Sequence, residues 1–276
     1  MNYIGIDLGG TNIKGALVSA KGEILKEHSI PTRVDLGPEA VAGRIGQVIA
    51  QLSIGEDTVG GVGVGCPGTV DDASGIVRFA ANLNFVNFDL RSALRAHTAL
   101  PIHLGNDANA AALGEALFGC GRGAESTIVV TLGTGVGAGV VIGGKLYCGR
   151  DTGAGEIGSI PYLDRDYEYY CSSRFFVGRG TSGKEAYERA LAGDSRALEL
   201  WQEFGTHIGQ LVMLALYAYD PQAIVFGGSI SHAFGFFRDA MYEQLKQFPY
   251  AKTVERLHIC CSGIEYVGLL GASACE

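Results

Sequence analysis

The residue types best suited to chemistry stand in short glycine-rich segments that follow predicted strands. The first is Asp7-Leu8-Gly9-Gly10-Thr11. An aspartate that ends a buried strand needs a partner for its charge, and a hydrated Mg²⁺ ion would provide one. Gly9 and Gly10 expose backbone N–H groups that suit phosphate oxygens, to which Thr11 adds a hydroxyl and Lys14 a positive charge. The alternative is a hairpin turn capped by an aspartate.

A second turn of this kind is Gly133-Thr134-Gly135-Val136-Gly137. Alone it fits a tight bend, but Ile4–Gly10 can be laid over Ile128–Thr134, with an apolar strand after each turn. An interval this long is not a solenoid repeat. It indicates two related domains, each opening with a strand, a glycine turn and a strand. We expect the two turns to hold a polyphosphate from both sides.

Asp107 is the candidate general base. It follows Asn106, between the predicted strand 101–104 and a predicted helix over 108–118. A carboxylate in this place can accept the proton of a sugar hydroxyl, while Asn106 can hydrogen-bond the same sugar. The alternative function of Asp107 is to cap the N-terminus of the helix.

Two further carboxylates lie in the second half of the chain. Glu156 stands in Gly155-Glu156-Ile157-Gly158, where it can hydrogen-bond two sugar hydroxyls or lie in water as a loop carboxylate. Glu168 stands between tyrosines in Tyr167-Glu168-Tyr169-Tyr170. For Glu168, a site residue and a solvated charge are both open interpretations.

Other ligand motifs fail on their context. Gly63-x-Gly65-x-x-Gly68 matches the dinucleotide fingerprint, but that fingerprint needs a helix to begin there. Pro67 disfavours helical geometry at the residue before it, and we predict a turn-rich loop over 69–75. The sequence has no Gly-x-x-x-x-Gly-Lys-Ser/Thr motif, which excludes a P-loop kinase. No cysteines have Cys-x-Cys or Cys-x-x-Cys spacing, so we expect no structural zinc site.

Composition excludes several classes of protein. The 276 residues are 47% apolar and 18% charged, which suits a substantial core in one large or two smaller domains. A net charge of −8 without a lysine or arginine block argues against a nucleic-acid partner. No apolar stretch suits a membrane span, the N-terminus is unlike a signal peptide, and the seven scattered cysteines do not suggest a disulfide framework. We therefore expect a cytoplasmic protein without a membrane partner.

Apolar periodicity and glycine punctuation predict an α/β chain. Strands are predicted at 3–7, 14–18, 23–29, 60–65, 101–104, 126–132, 139–142, 222–226 and 257–261, and helices at 39–53, 90–97, 108–118, 196–219, 234–248 and 268–274.

Taken in this order, the motifs resemble those of the ROK family, the bacterial sugar kinases and repressors named for repressors, open reading frames and kinases. Each motif alone is weak, but the ordered set is specific and spans nearly the whole chain. The set consists of residues 7–14, Cys66-Pro67-Gly68, residues 106–111, Leu132–Gly137, Gly155–Gly158 and Asp220-Pro221 before Gly227-Gly228.

The resemblance implies an α/β fold of two duplicated actin-like ATPase (ribonuclease H-like) domains with a central cleft for ATP and sugar. We expect residues 1–118, joined by a C-terminal helix 264–276, to form the first domain and 119–263 the second. The implied reaction is phosphoryl transfer from MgATP to the 6-hydroxyl of a hexose with Asp107 as general base, in a homodimer. The sugar-site candidates are Gly68, Asn82, Asn106, Asp107, Glu156, Ser159 and Glu168. The nucleotide-site candidates are Asp7, Gly9, Gly10, Thr11, Lys14, Gly133, Thr134, Gly135, Gly227 and Gly228, with Asp7 holding Mg²⁺ through water.

The sequence departs from this family in two places. Many members carry a zinc-binding histidine after Glu-x-Gly, where this chain has Ser159. Many also carry a cysteine-rich zinc loop before the residue that matches Glu168, but here only residues 160–167 separate Ser159 from Glu168, and none of them is a cysteine. We therefore expect a zinc-free branch in which Ser159 hydrogen-bonds the sugar. Glucose is the expected substrate, and N-acetylmannosamine, N-acetylglucosamine and fructose stay open.

Two other functions compete with a kinase. A sugar-responsive repressor of this family carries a helix-turn-helix before the first glycine turn, whereas the first strand here is predicted to start at Tyr3. A catalytically silent sugar-binding protein would not need Asp107 and both glycine turns.

Overall fold

The computed structural model describes residues 1–56, 58–150 and 152–275, and the chain divides into two compact units. The first unit comprises Met1–Arg122, Lys145–Ala154 and Ile264–Glu276, and the second Gly123–Gly144 and Gly155–Gly263. Glu276, the last residue of the predicted C-terminal helix, lies outside the described residues. Residues 119–122 and 145–154, predicted in the second domain, lie in the first unit, where Asn109 Nδ2 donates a hydrogen bond to Cys148 Sγ at 3.8 Å.

The helices and strands follow the predicted pattern, with additions. In chain order they are β1 (Asn2–Leu8), β2 (Asn12–Val18), β3 (Ile24–Pro31), α1 (Pro38–Ser53), β4 (Val59–Cys66), β5 (Thr69–Asp71), β6 (Ile76–Ala80), β7 (Phe85–Asp89), α2 (Leu90–Arg95), β8 (Ile102–Asn106), α3 (Asp107–Phe118), β9 (Ser126–Leu132), β10 (Val136–Ile142), β11 (Lys145–Leu146), β12 (Pro161–Tyr162), β13 (Arg165–Asp166), α4 (Tyr167–Cys171), α5 (Ser173–Val177), α6 (Gly183–Leu191), α7 (Ser195–Tyr219), β14 (Ala223–Gly227), α8 (Phe234–Leu245), α9 (Ala251–Arg256), β15 (His258–Cys261) and α10 (Val267–Ser273). Short 3₁₀ helices cover Val34–Leu36, Ala81–Leu83, Ile157–Ser159 and Ser229–Ala233.

The first unit is built on a sheet with strand order β3-β2-β1-β4-β8. Strands β1 to β3 are antiparallel neighbours, whereas β4 and β8 run parallel to β1. The buried side chains of β1, such as Ile4 and Ile6, pack with Val41 and Ile45 of α1. Because β1, β4 and β8 are parallel, their carboxyl ends, and the polar residues that follow them, meet at one edge of the sheet.

Helix α10 packs against β1, β4 and α3 at positions where there is room only for glycine. Gly5 and Gly63 are register partners on β1 and β4. A Cβ atom at Gly63 would overlap the carbonyl oxygen of Ala272, and one at Gly5 would overlap that of Leu269. Backbone therefore lies directly on backbone, which only a residue without a side chain allows.

The second unit repeats this plan. Within it the sheet runs β10-β9-β14-β15, with β9 and β10 antiparallel and β14 and β15 parallel to β9. Strands β1 and β9 have the same length, and so do β2 and β10. The core of this unit is aromatic and centres on Trp201 and Phe204 of α7, which pack on Phe237 of α8. The duplicated domains predicted from the overlay of the two glycine turns are thus confirmed.

The sequence prediction is wrong for residues 69–75. They form β5 and a turn rather than a loop alone, and β5 pairs with β6 in the small antiparallel sheet β5-β6-β7. The rejection of a dinucleotide fingerprint is confirmed, because β4 ends at Cys66 and the next element is a strand. Across the described residues, no helix combines the length and apolarity that a bilayer crossing demands.

Candidate active site

The carboxyl edge of the first sheet brings Asp7 and Asp107 towards each other. Asp7 on β1 is the register partner of Gly65 on β4, which in turn is the partner of Gly105 on β8. A Cβ atom at Gly65 would lie 3.7 Å from the Cα of Asp107. Gly65 therefore adds no side chain of its own between the two aspartates.

The charge of Asp107 acts on two neighbouring groups. Burial and the charge of Asp107 raise the pKa of Asp7, and Lys14, its partner on β2, partly offsets this rise. Burial and the charge of Asp107 also raise the pKa of the Cys66 thiol to about 12. Negative charge thus accumulates at this edge without full compensation by the protein, a setting that suits a hydrated divalent cation.

We predict that Asp7→Asn stabilises the ligand-free protein at neutral pH by about 1 kcal/mol, a common size for a single stabilising change. A carboxyl group whose folded pKa is raised contributes stability below its ordinary pKa of 3.8 and loses it as the pH rises through the folded value. The gain should therefore grow as the pH rises from about 4 to 7. Thermal unfolding of both proteins across this range measures it.

Asp35→Asn is the matched control, because a hydrogen bond from Arg33 lowers the pKa of exposed Asp35. Removing that charge should not stabilise the protein. An Asp7→Asn protein that is less stable than the wild type at pH 7 would show that Asp7 carries a structural ion pair.

Asn106, and not Asp107, caps helix α3. The Asn106 side-chain oxygen accepts hydrogen bonds from the N–H groups of Ala108 and Asn109 at 2.9 and 3.2 Å. Its Nδ2 donates to the carbonyl oxygen of Gly68 at 2.9 Å. The N-cap interpretation of Asp107 is therefore wrong, and Asn106 keeps one N–H for a ligand.

Asp107 is the first residue of α3 and is exposed. Its Oδ1 accepts a hydrogen bond from the N–H of Ala108 at 2.9 Å, which fixes the side chain. Within the described ranges, Oδ2 has no protein partner. The geometry leaves one oxygen of a fixed carboxylate open to an approaching hydroxyl.

Gly68 and Asn82 lie at the same edge. Gly68 has φ 86°, and a Cβ atom there would overlap the carbonyl oxygen of Phe79, so the position requires glycine. Exposed Asn82 packs on the first glycine turn, since a Cβ atom at Gly10 would lie 3.0 Å from its carbonyl oxygen. The structure thus places Gly68 against the side chain of Asn106, and Asn82 against Gly10.

The first glycine turn is held by Thr32, a residue that no sequence motif marks as a candidate. Thr32 is fully buried. Its hydroxyl donates a hydrogen bond to the carbonyl oxygen of Gly9 at 2.6 Å, and its N–H donates one to the carbonyl oxygen of Thr11 at 2.8 Å. In the described part of the chain, the N–H groups of Gly10 and Thr11 have no acceptor. These two donors are available to phosphate oxygens.

The second glycine turn has matching free donors. Gly133 N–H bonds the Gly135 carbonyl oxygen at 3.0 Å, and the Gly133 carbonyl oxygen accepts from Ser173 at 2.8 Å. Thr134 and Gly135 have N–H groups that meet no acceptor among the residues described. Both turns therefore present two adjacent N–H groups each.

Gly227 and Gly228 lie beside the second turn. Gly227 ends β14 and is the register partner of Thr131 on β9. Gly228 has φ 80°, and a Cβ atom there would overlap the backbone of Leu132. The pair is thus fixed as glycine by conformation and by contact with the strand that leads into the turn.

Glu156 and Ser159 are presented by a short segment that packs on β10. Gly155 has φ 93° and lies against the backbone of Ala138, while a Cβ atom at Gly158 would lie 3.0 Å from Val136 Cβ. Between these contacts, Ile157 is buried and the side chains of Glu156 and Ser159 are exposed. The Gly-Glu-Ile-Gly pattern thus reflects close packing on both sides of the carboxylate.

Glu168 is fixed beside the second turn. Its Oε2 accepts a hydrogen bond from the N–H of Val136 at 3.3 Å, and its Oε1 lies 2.9 Å from Arg174 Nη2. It is therefore a paired carboxylate rather than a solvated one. Arg174 was not predicted, because it lies on another helix and no spacing rule links it to Glu168.

The structure thus groups the candidates by unit. Asp7, Gly9, Gly10, Thr11, Lys14, Gly68, Asn82, Asn106 and Asp107 lie in the first unit, and Gly133, Thr134, Gly135, Glu156, Ser159, Glu168, Gly227 and Gly228 in the second. Lys14 Nζ lies 5.9 Å from the ring centre of Tyr266.

In the residues that the structure describes, there is no group of three or more His, Cys, Asp or Glu side chains that could hold a metal ion.

Two α/β units with one shared strand order, each with a glycine turn after its first strand, define the actin-like ATPase fold. The ROK family profile matches residues 3–275, and the chain belongs to the ROK family.

Several known proteins are similar to this chain over nearly its full length. A glucokinase of Thermotoga maritima is 32% identical over 307 residues, covering 99% of this chain and 96% of its own. The ROK hexokinase of Thermus thermophilus is 26% identical with a TM-score of 0.86, covering 99% and 97%. A ROK family glucokinase of Streptomyces griseus, solved with glucose and AMPPNP, is 29% identical with a TM-score of 0.77, covering 99% and 98%.

Proposed function

We propose that this ROK protein is an ATP-dependent hexose kinase that phosphorylates the 6-hydroxyl of glucose. The observation that carries the proposal is Asp107, a fixed and exposed carboxylate with one open oxygen beside Asp7. The glucokinase name of the Thermotoga maritima relative and the glucose and AMPPNP bound to the Streptomyces griseus enzyme support glucose and ATP as substrates.

Asp107 acts as the general base. The open oxygen of Asp107 accepts the proton of the sugar hydroxyl. As this proton leaves, the hydroxyl oxygen attacks the γ-phosphorus of ATP, and the bond from the γ-phosphorus to the β–γ bridging oxygen breaks. Asn106 holds the loop at Gly68 and offers its remaining N–H to the sugar. Glu156, Ser159 and Glu168 of the second unit supply further hydrogen bonds to sugar hydroxyls.

The glycine turns bind the phosphates of ATP. The free N–H groups of Gly10 and Thr11, and those of Thr134 and Gly135, donate to phosphate oxygens, with Lys14 adding positive charge. Gly9 and Gly133 shape these turns, and Gly227 and Gly228 border the adenosine. The raised pKa of Asp7 fits a site for Mg²⁺ held through water, which would neutralise charge on the transferred phosphoryl group.

The protein is further proposed to act in the cytoplasm as a homodimer. The first proposal rests on the composition and the scattered cysteines. The homodimer rests on the family resemblance, and size-exclusion chromatography with light scattering tests it.

The test of this function is ADP release by the purified protein with MgATP and a panel of sugars. Glucose should give the highest kcat/KM, and N-acetylmannosamine, N-acetylglucosamine and fructose test the alternative kinases. Chelation of Mg²⁺ should abolish the signal, and restoring the metal should return it. Sugar binding without ADP release from any sugar would instead favour a silent sugar-binding protein.

A further inference from the structure

His207 lies where several segments of the second unit meet, and the mechanism above does not use it. It is 8% exposed on α7, and the Tyr162 hydroxyl oxygen lies 3.1 Å from its Nδ1. The rings of Tyr170 and Phe175 also contact the imidazole, with centroids 4.7 and 5.7 Å away. The imidazole of His207 is thus buried among aromatic rings from α4 and α5 and joins these helices to α7.

Tyr162 connects this imidazole to the hairpin of β12 and β13. Its ring stacks on Tyr167 with centroids 4.3 Å apart and an interplanar angle of 13°. The hairpin is closed by the pairing of Tyr162 with Arg165, and by a bond from the Tyr167 N–H to the Ile160 carbonyl oxygen at 3.1 Å. At its tip, Leu163 is 69% exposed, while the Tyr170 hydroxyl on α4 donates a hydrogen bond to Asp164 Oδ1. Tyr162 is the hairpin residue that contacts His207 and so joins the hairpin to α7.

The hairpin lies between the sugar-site candidates of this unit along the chain. The 3₁₀ helix that holds Ser159 ends directly before it, and α4, which holds Glu168, begins directly after it. A shift of the hairpin would move both ends together. The positions of Glu156, Ser159 and Glu168 thus depend on how firmly the hairpin is held.

The charges around His207 determine which nitrogen accepts the tyrosine hydroxyl. Glu203 Oε1 lies 3.9 Å from Nε2, too far for a hydrogen bond, and Arg179 is bonded to Glu203. The carboxylate favours the proton on Nε2, so Nδ1 accepts from Tyr162. Burial lowers the pKa of His207, Glu203 opposes this and Arg179 adds to it. The imidazole is therefore neutral at pH 7, and the other ionisable groups facing it are the phenols of Tyr162 and Tyr170.

We propose that His207 and Tyr162 are a positioning pair that anchors this hairpin and thereby sets the affinity for the sugar. The inference rests on the proposed function, since it concerns the sugar site of that reaction. It assigns to both residues an action through Glu156, Ser159 and Glu168 rather than a contact with the reacting atoms.

Tyr162→Phe tests the pair by removing only the hydroxyl. The KM for the sugar should rise roughly three- to tenfold, the usual effect of one lost hydrogen bond, with kcat and the KM for ATP within about twofold of the wild type. His207→Leu should give the same split, and His207→Asn, which keeps an acceptor near the Nδ1 position, a smaller change. Tyr217→Phe, at an exposed tyrosine on the same helix, is the control and should change nothing.

The pH dependence separates positioning from general packing. Protonation of His207 removes the acceptor, so the wild-type KM for the sugar should rise as the pH falls below the ordinary histidine value of 6.5 and through the lowered folded pKa. In Tyr162→Phe this rise should be absent. An equal rise in both proteins would contradict the proposal, as would an increase of both KM values by one factor.

Hydrogen exchange gives a readout that does not depend on catalysis. Amides of residues 160–168 should exchange faster in Tyr162→Phe than in the wild type, while those of β9 and β14 stay unchanged. Unchanged exchange together with an unchanged KM for the sugar would overturn the proposal. If the wild type phosphorylates no sugar of the panel, the proposed function fails, and the exchange result alone decides whether the pair anchors the hairpin.

Discussion

Asp107→Asn is expected to lower kcat for the sugar roughly 10²- to 10⁴-fold, the usual contribution of a general base. Asparagine has nearly the same shape, and its carbonyl oxygen can keep the hydrogen bond from the Ala108 N–H that now measures 2.9 Å. The amide cannot accept the proton of the attacking hydroxyl. Because the substitution removes proton transfer but keeps a hydrogen-bonding side chain at the sugar, glucose binding measured by calorimetry should survive. Steady-state ADP release measures the loss.

Asp89→Asn is the matched control for this prediction. Asp89 stands at the start of α2, where its Oδ1 accepts a hydrogen bond from the Ser92 N–H at 2.9 Å. Asparagine caps helices as well as aspartate does, so this variant should fold and keep full activity. An Asp107→Asn enzyme with near-normal turnover would remove the base from the mechanism. Loss of glucose binding in that variant would instead indicate a binding role.

Gly63→Ala is expected to destabilise the protein by about 3 kcal/mol or more, the upper part of the range for overpacked cores. The new Cβ would overlap the Ala272 carbonyl oxygen, so α10 would have to move away from β1 and β4. Moving the helix would also disturb Gly271, which contacts the backbone of Ala110 on α3. Thermal unfolding should show a fall in Tm of roughly 6–12 °C.

The control for this change lies on the same helix. Gly268 has no atom within 4 Å of the position that a Cβ would take. Gly268→Ala should therefore raise stability by up to about 1 kcal/mol through helix propensity. If both alanine variants lowered Tm equally, the close approach of α10 to the sheet would not be the cause.

Local sequence signals predict the duplicated core of the fold because its elements are long and regular. The hairpin of β1 and β2 repeats in β9 and β10, and the turns at Gly9 and Gly133 mark both. The antiparallel sheet of β5 to β7 has short strands whose partners are set by tertiary contacts, and it was missed. Helix α6 was also missed, although Ser182 and Glu185 form the capping pattern that begins it.

The sequence predicts which residues belong to the candidate site, but not the hydrogen bonds and ion pairs that hold them. Strand ends and glycine turns mark Asp7 and Asp107 as candidates from the sequence, and the family resemblance adds Glu168. Asn106 and Asp107 are both good helix caps, and only the structure shows that Asn106 takes this place. The bonds from Thr32 to Gly9 and from Arg174 to Glu168 join separate elements, for which a single sequence gives no rule.

The place of α10 in the chain affects how the protein is made. The helix that covers Gly5 and Gly63 is translated after all of the second unit. Once residues 1–263 have emerged from the ribosome, every segment of the second unit is present. In the first unit, α10 does not yet cover the backbone of β1 and β4. The unit translated first is therefore the last to close. In the interval, the exposed strands are a natural substrate for chaperones and proteases.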